Sequence, residues 1–173
     1  MDDTAPVGAA GVCEGVYRAA IRHVVYVPDN PLSHVLRAFA SYPDVRLVLT
    51  TREEEACGIA AGLYLGGRRA AVMCQSSGLG NSINAITSLL VPYQIPLLLM
   101  LSMRGDAGEW NSAQVPMGRA VGAILDAIGV PHTTVNSADA AGDVVRLAAE
   151  TAFSTRMARA CLLPRRITVP ARV

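Results

Sequence analysis

A chain of 173 residues, 51% of them hydrophobic, can bury one substantial core and has no room for a second large domain, so 1–173 reads as a single domain with its core over about 11–160. The net charge is only +1 and the basic residues are scattered, which excludes the basic stripe that nucleic-acid binding needs. All fifteen basic residues are arginine, and without a lysine amine neither a Walker-type phosphate loop nor a Schiff-base enzyme is available.

In chain order, short apolar runs alternate with helical patterns. A helical segment near 11–22 is followed by a strand from Val24 to Val27, a helix near 31–41 and a strand from Val45 to Thr50. A helix near 54–65, a strand from Ala70 to Cys74, a helix near 80–91 and a strand from Pro96 to Ser102 come next. The helix near 117–128, the weaker strand Thr133 to Val135 and a helix near 138–160 complete the series. Leu162 to Val169 reads as a sixth strand or a tail, which Pro164 confines to an edge or a bend. This alternation predicts an α/β fold: a three-layer, doubly wound, mostly parallel sheet with helices on both faces.

The acidic start Met1-Asp2-Asp3-Thr4 is unlike a basic signal peptide, and the apolar run Leu97 to Leu101 is too short to span a bilayer. Cys13, Cys57, Cys74 and Cys161 stand far apart, as do His23, His34 and His132, so no zinc site or disulfide framework is readable. The expectation is a cytoplasmic protein with no metal of its own and no membrane or nucleic-acid partner.

Ligands of such sheets sit at the carboxyl ends of the strands. Four loops are therefore the places to search: Pro28 to Pro31, Thr50 to Glu53, Gln75 to Asn81 and the long irregular Ser102 to Pro116. In the second, three acids, Glu53, Glu54 and Glu55, open a helix, where they favour its dipole, and Thr51 with Glu54 fits a capping box. Capping does not account for Gly58 and Gly62, which cost about 1 kcal/mol each in a helix and suggest that something approaches it closely. A carboxylate covered at a strand end is desolvated and keeps its proton more readily, as a proton relay requires. Gly78-Leu79-Gly80-Asn81 is a tight turn between strand and helix, and Ile83 at its last position departs from the dinucleotide-binding G-x-G-x-x-G.

Glu53 to Gly62 resembles the E-x8-G turn of the pyrimidine-binding domains of thiamine diphosphate enzymes, with Glu53 in the invariant position. Gln75-Ser76-Ser77-Gly78-Leu79-Gly80-Asn81 resembles the Q-N-S-G-L-G-N stretch of sulfopyruvate and phosphonopyruvate decarboxylases, with Ser76 where those families usually carry Asn. Ile95 to Leu99, Arg104-Gly105 and Gln114 to Gly118 continue the resemblance in family order, the sulfopyruvate enzyme's α subunit being the nearest pattern.

The resemblance implies that Glu53 hydrogen-bonds the pyrimidine N1′ of thiamine diphosphate and promotes the imino tautomer that activates the thiazolium for attack on a 2-oxo acid. It places Gln75, Ser77, Gly78, Leu79, Gly80 and Asn81 beside the cofactor and Asp29 as a proton-handling group at the substrate, with Asn30 as its neighbour; the implied substrates carry an anionic head, and Arg104, directly after the fourth strand, is the guanidinium suited to hold it. Trp110, in the loop after Arg104, suits a cover for the substrate or a contact with a partner.

The same resemblance implies a β subunit that supplies the other half of the site and holds the diphosphate through Mg2+, in an α2β2 or larger assembly. Gly105-Asp106-Ala107 with Asn136 imitates that metal motif, but Asn136 closes no strong buried strand and residues 96–118 match the pyrimidine domain. Five arginines between Arg156 and Arg172 form either a solvated basic end or a docking patch. The expected activity is decarboxylation of sulfopyruvate to sulfoacetaldehyde and CO2, with a phosphonopyruvate decarboxylase subunit or a non-catalytic, flavodoxin-like nucleotide-binding module as alternatives.

Overall fold

The two most apolar runs lie at the centre of the sheet: β3 (Ala70–Gln75) buries its first five residues and β4 (Leu97–Ser102) all six. Strands covered on both faces must be of this kind. Around them lie β1 (His23–Tyr26), β2 (Arg46–Leu49), β5 (His132–Thr134) and β6 (Ala158–Leu163). The computed structural model describes residues 7–106 and 109–169, and in it all six strands are parallel, in the order β2-β1-β3-β4-β6-β5. The register sets Val24 beside Leu47 and Ala71, and Met100 between Met73 and Cys161.

Helices α1 (Val7–Arg18), α2 (Leu32–Ala38), α6 (Ala141–Thr155) and the short α7 (Arg165–Thr168) pack on one face of the sheet, over Met73, Met100 and Leu163. Helices α3 (Glu53–Leu65), α4 (Gly78–Ala85) and α5 (Val115–Ala127) pack on the other, over Val72, Leu99 and Leu162. Alternation along each strand divides the apolar residues between two cores. Among the described residues no helix is long and apolar enough to cross a membrane.

The main departure from the sequence reading is the sixth strand. It begins four residues earlier than Leu162 and lies inside the sheet between β4 and β5, not at an edge. Helix α6 stops at Thr155 because Arg156 adopts the left-handed conformation, φ 55°, and the Met157 N–H closes back on the Ala152 carbonyl. Pro164 follows the strand and starts α7, so it interrupts no ladder. Helix α1 likewise ends earlier than expected, at Arg18, and α2 continues as a 3-10 turn over Phe39–Ser41. Of the five C-terminal arginines, Arg159 lies in β6, Arg165 and Arg166 open α7, and Arg172 falls outside the described residues.

This winding opens crevices at defined places. The chain leaves β1 for α2 on one face and leaves β3 for α4 on the other, so these two neighbouring strands part at their carboxyl ends. The same happens between β4, followed by α5, and β6, followed by α7.

Candidate active site

The β1/β3 crevice collects three of the four loops singled out from the sequence. The Thr50 hydroxyl and N–H both donate to the Tyr26 carbonyl, at 3.1 and 2.9 Å, tying the end of β2 to β1. Arg52 is extended, φ −138°, and α3 starts abruptly at Glu53. The expected Thr51/Glu54 capping box does not form. With Arg52 as N-cap the reciprocal acid falls one residue later, and the Glu55 carboxylate accepts the Thr51 N–H at 3.0 Å. Glu54 is instead held by Arg52 at 2.5 Å.

That leaves the Glu53 side chain for the crevice. It lies directly over Gly78, where a Cβ would come within 2.5 Å of its Cγ, and its Oε2 accepts a 2.8 Å hydrogen bond from Asn81 Nδ2. Gly80 is exposed, and a Cβ there would meet only Met117 Cε, at 3.6 Å. The first turn of α4 is thus a floor of backbone beneath one carboxylate. Leu79 is different: its side chain is buried in the core with Val121 and Leu125, so only its backbone borders the crevice.

Beside this floor is a partly buried polar network. Gln75 Nε2 donates to Ser77 Oγ at 2.5 Å, and Gln75 Oε1 accepts from Arg104 Nη1 at 2.7 Å. Asp29, at the end of β1, accepts from Ser102 Oγ at 2.5 Å and lies 3.6 Å from Arg104 Nη1. Neighbouring Asn30 uses its carbonyl to receive the Ser33 hydroxyl at 2.6 Å, which fixes the start of α2, and is itself exposed.

Sequence reasoning missed Glu109. Its carboxylate takes two hydrogen bonds from Arg104, at 2.8 and 3.2 Å, and accepts the N–H groups of Gly105 and Asn111 at 3.4 and 3.0 Å. Both side chains are almost entirely buried, 9% and 5% exposed. Arg104 holds the Glu109 carboxyl far below the ordinary range, at about 2. The Arg104 guanidinium therefore carries a permanent counter-charge. The signal available in the sequence was an acid five residues after an arginine at a strand end. Helix α5 can approach this loop because Gly118 faces the Arg104 carbonyl, where a side chain would collide with backbone.

Trp110, next to Glu109, is 77% exposed. The cysteines contribute no nucleophile: burial pushes Cys57 up to about 11 and Cys13 and Cys161 up to about 12. Among the described residues no group of three or more His, Cys, Asp and Glu is arranged to hold a metal ion.

The family described as thiamine pyrophosphate enzyme, N-terminal TPP binding domain, matches residues 7–117. The chain is 40% identical over 154 residues to the sulfopyruvate decarboxylase subunit alpha of Methanococcus maripaludis, an alignment that covers 87% of this chain and 92% of the relative. It is 40% identical over 152 residues to the protein of the same name from Methanothermobacter thermautotrophicus, covering 88% and 92%. It is also 38% identical over 121 residues to the phosphonopyruvate decarboxylase of Streptomyces viridochromogenes, covering 69% of this chain and 30% of that one. With a parallel α/β sheet, a carboxylate over a glycine floor and these relatives, the chain belongs to the thiamine pyrophosphate enzymes, as a member of their N-terminal TPP-binding domain family.

Proposed function

We propose that this chain is the α subunit of a thiamine diphosphate-dependent decarboxylase that converts sulfopyruvate to sulfoacetaldehyde and CO2, a single pyrimidine-binding domain that works with a β subunit. The observation that carries the reading is the Glu53 carboxylate over Gly78, with Oε2 held by Asn81 and, among the described residues, no side chain donating to Oε1. This donor and acceptor set fits an aminopyrimidine, which needs one carboxylate for its ring nitrogen and a flat surface to lie on. When bound, the cofactor supplies the electron sink for loss of CO2.

The chain's own residues orient and manage protons. Glu53 holds a proton at the ring nitrogen, and Asn81 fixes the carboxylate's rotation. Gln75, Ser77 and the Gly78-Leu79-Gly80 backbone form the wall beside the ring. Asp29, set by Ser102, handles the proton at the substrate, with Asn30 at the mouth. Arg104 offers its remaining N–H to the substrate's anionic head while its other donors keep Gln75 and Asp29 in place. The β subunit carries the diphosphate and Mg2+, and its docking covers the open face of α3 and Trp110. The four free cysteines suit the reducing cytoplasm.

Glu53→Gln tests this reading. In the complex reconstituted with the β subunit, turnover of sulfopyruvate falls by roughly 10²- to 10⁴-fold while subunit association persists. Full turnover in the variant would remove Glu53 from the proton relay. Because relatives of both names align with this chain, phosphonopyruvate is the second substrate to measure, and a higher kcat/KM on it reassigns the substrate without changing the chemistry.

A further inference from the structure

The second crevice of the sheet, between the carboxyl ends of β4 and β6, lies two strand spacings, about 10 Å, from the first. It contains a cavity of about 450 Å3, lined by Met103, Asp106, Thr134, Pro164, Arg165 and Arg166 among others. That volume accommodates a small metabolite. Two arginines and one aspartate line it, so the lining is net positive. Arg166 Nη2 donates to Asn136 Oδ1 at 3.2 Å, which steadies its side chain, and among the described residues neither Arg165 nor Asp106 forms an ion pair.

Arg104 provides the contrast. It sits on the same loop, two residues before Asp106, yet a buried carboxylate, Glu109, already balances its charge. Of the two arginines that line this cavity, Arg165 and Arg166, neither forms an ion pair among the described residues. Guanidinium forks pair with oxyanions through two parallel hydrogen bonds, and Thr134 adds a hydroxyl to the lining. We propose that the β4/β6 crevice binds a small metabolite carrying a phosphate or sulfonate group, held by Arg165 and Arg166. Met103 and Asp106 line this cavity and flank Arg104, so the ligand is coupled to the substrate end of the first crevice through one four-residue segment.

The test is calorimetric titration of inorganic phosphate into the full-length chain at constant ionic strength, with chloride as the balancing anion. Wild type binds saturably, in the roughly millimolar range. Arg165→Gln combined with Arg166→Gln, shown to be folded by circular dichroism, binds at least about tenfold more weakly. Asp106→Asn removes the one repelling charge and tightens binding by roughly fivefold, a gain that damage to the fold does not produce. Methanesulfonate titrated in parallel separates the two head groups by which binds more tightly. Absence of saturable binding to both anions in wild type, or an Asp106→Asn variant no tighter than wild type, overturns the proposal.

Discussion

A Cβ on Gly78 would come within 2.5 Å of Glu53 Cγ and 2.7 Å of Oε1, so the first residue of α4 is the surface on which the first side chain of α3 rests. The collision is with Cγ and the carboxyl of a flexible side chain, not with backbone. Gly78→Ala therefore folds, with a melting temperature within about 4 °C of wild type, but it displaces the carboxylate. A shift of about 1 Å in a group that must meet a ring nitrogen costs on the order of 10²-fold in turnover. Thermal melting of the chain and kcat of the reconstituted complex check both halves. A native melting temperature with unchanged kcat would show that the carboxylate's position over Gly78 is not the one used.

The Arg104–Glu109 pair gives the protein an acid-sensitive element. Because the carboxyl sits at about 2 in the folded chain against an ordinary 4.5, its contribution to stability is complete above about pH 4.5 and is lost as pH falls toward 2. Glu109→Gln leaves the Arg104 guanidinium buried without its partner and costs about 3 kcal/mol at pH 7. The same variant unfolds with a shallower pH dependence between pH 4.5 and 2. Urea unfolding across that range measures it, and a variant with wild-type pH dependence would assign the acid transition to other carboxyls.

Strands β3 and β4 were legible because continuous apolar runs have few other uses in a chain this short, and the site loops were legible because each follows such a run. β6 was hidden: Ala158-Arg159-Ala160-Cys161 has small residues and a charge where a buried strand is expected to show β-branched ones, and it continues the helical spacing of α6. Only the left-handed turn at Arg156 separates the two, and an arginine announces no such turn. Strand ends and resemblance single out Glu53, Asp29, Gln75 and Arg104, which the fold brings to one end of the sheet. Glu109 is not among them, since an acid in an irregular loop follows no period, and its partner is chosen by how that loop closes. Gly58 and Gly62 suggest a close approach in sequence, yet nothing among the described residues lies within 4 Å of a Cβ built at either.

Those two glycines separate folding from assembly. Gly58→Leu and Gly62→Leu meet open space among the described residues and each relieves about 1 kcal/mol of helix cost, so the isolated α subunit melts at a higher temperature. If the β subunit lies on this face of α3, the added side chains stand in its way, and size-exclusion chromatography shows the double variant eluting apart from it. Co-elution at wild-type stoichiometry would place the β subunit on another surface.

Ser76 makes the opposite case, a polar group fully buried to no evident benefit. It is 0% exposed and its Oγ has no hydrogen-bond partner among the described residues, although it follows β3 directly and sits between Gln75 and Ser77, both of which are engaged. A buried hydroxyl left unpaired costs on the order of 1 to 3 kcal/mol relative to its hydrated state. Ser76→Ala removes that cost and leaves a void no larger than one oxygen, so the expected change is a gain of about 1 kcal/mol in urea unfolding with an unchanged m value. Loss of stability would mean that the hydroxyl has a partner.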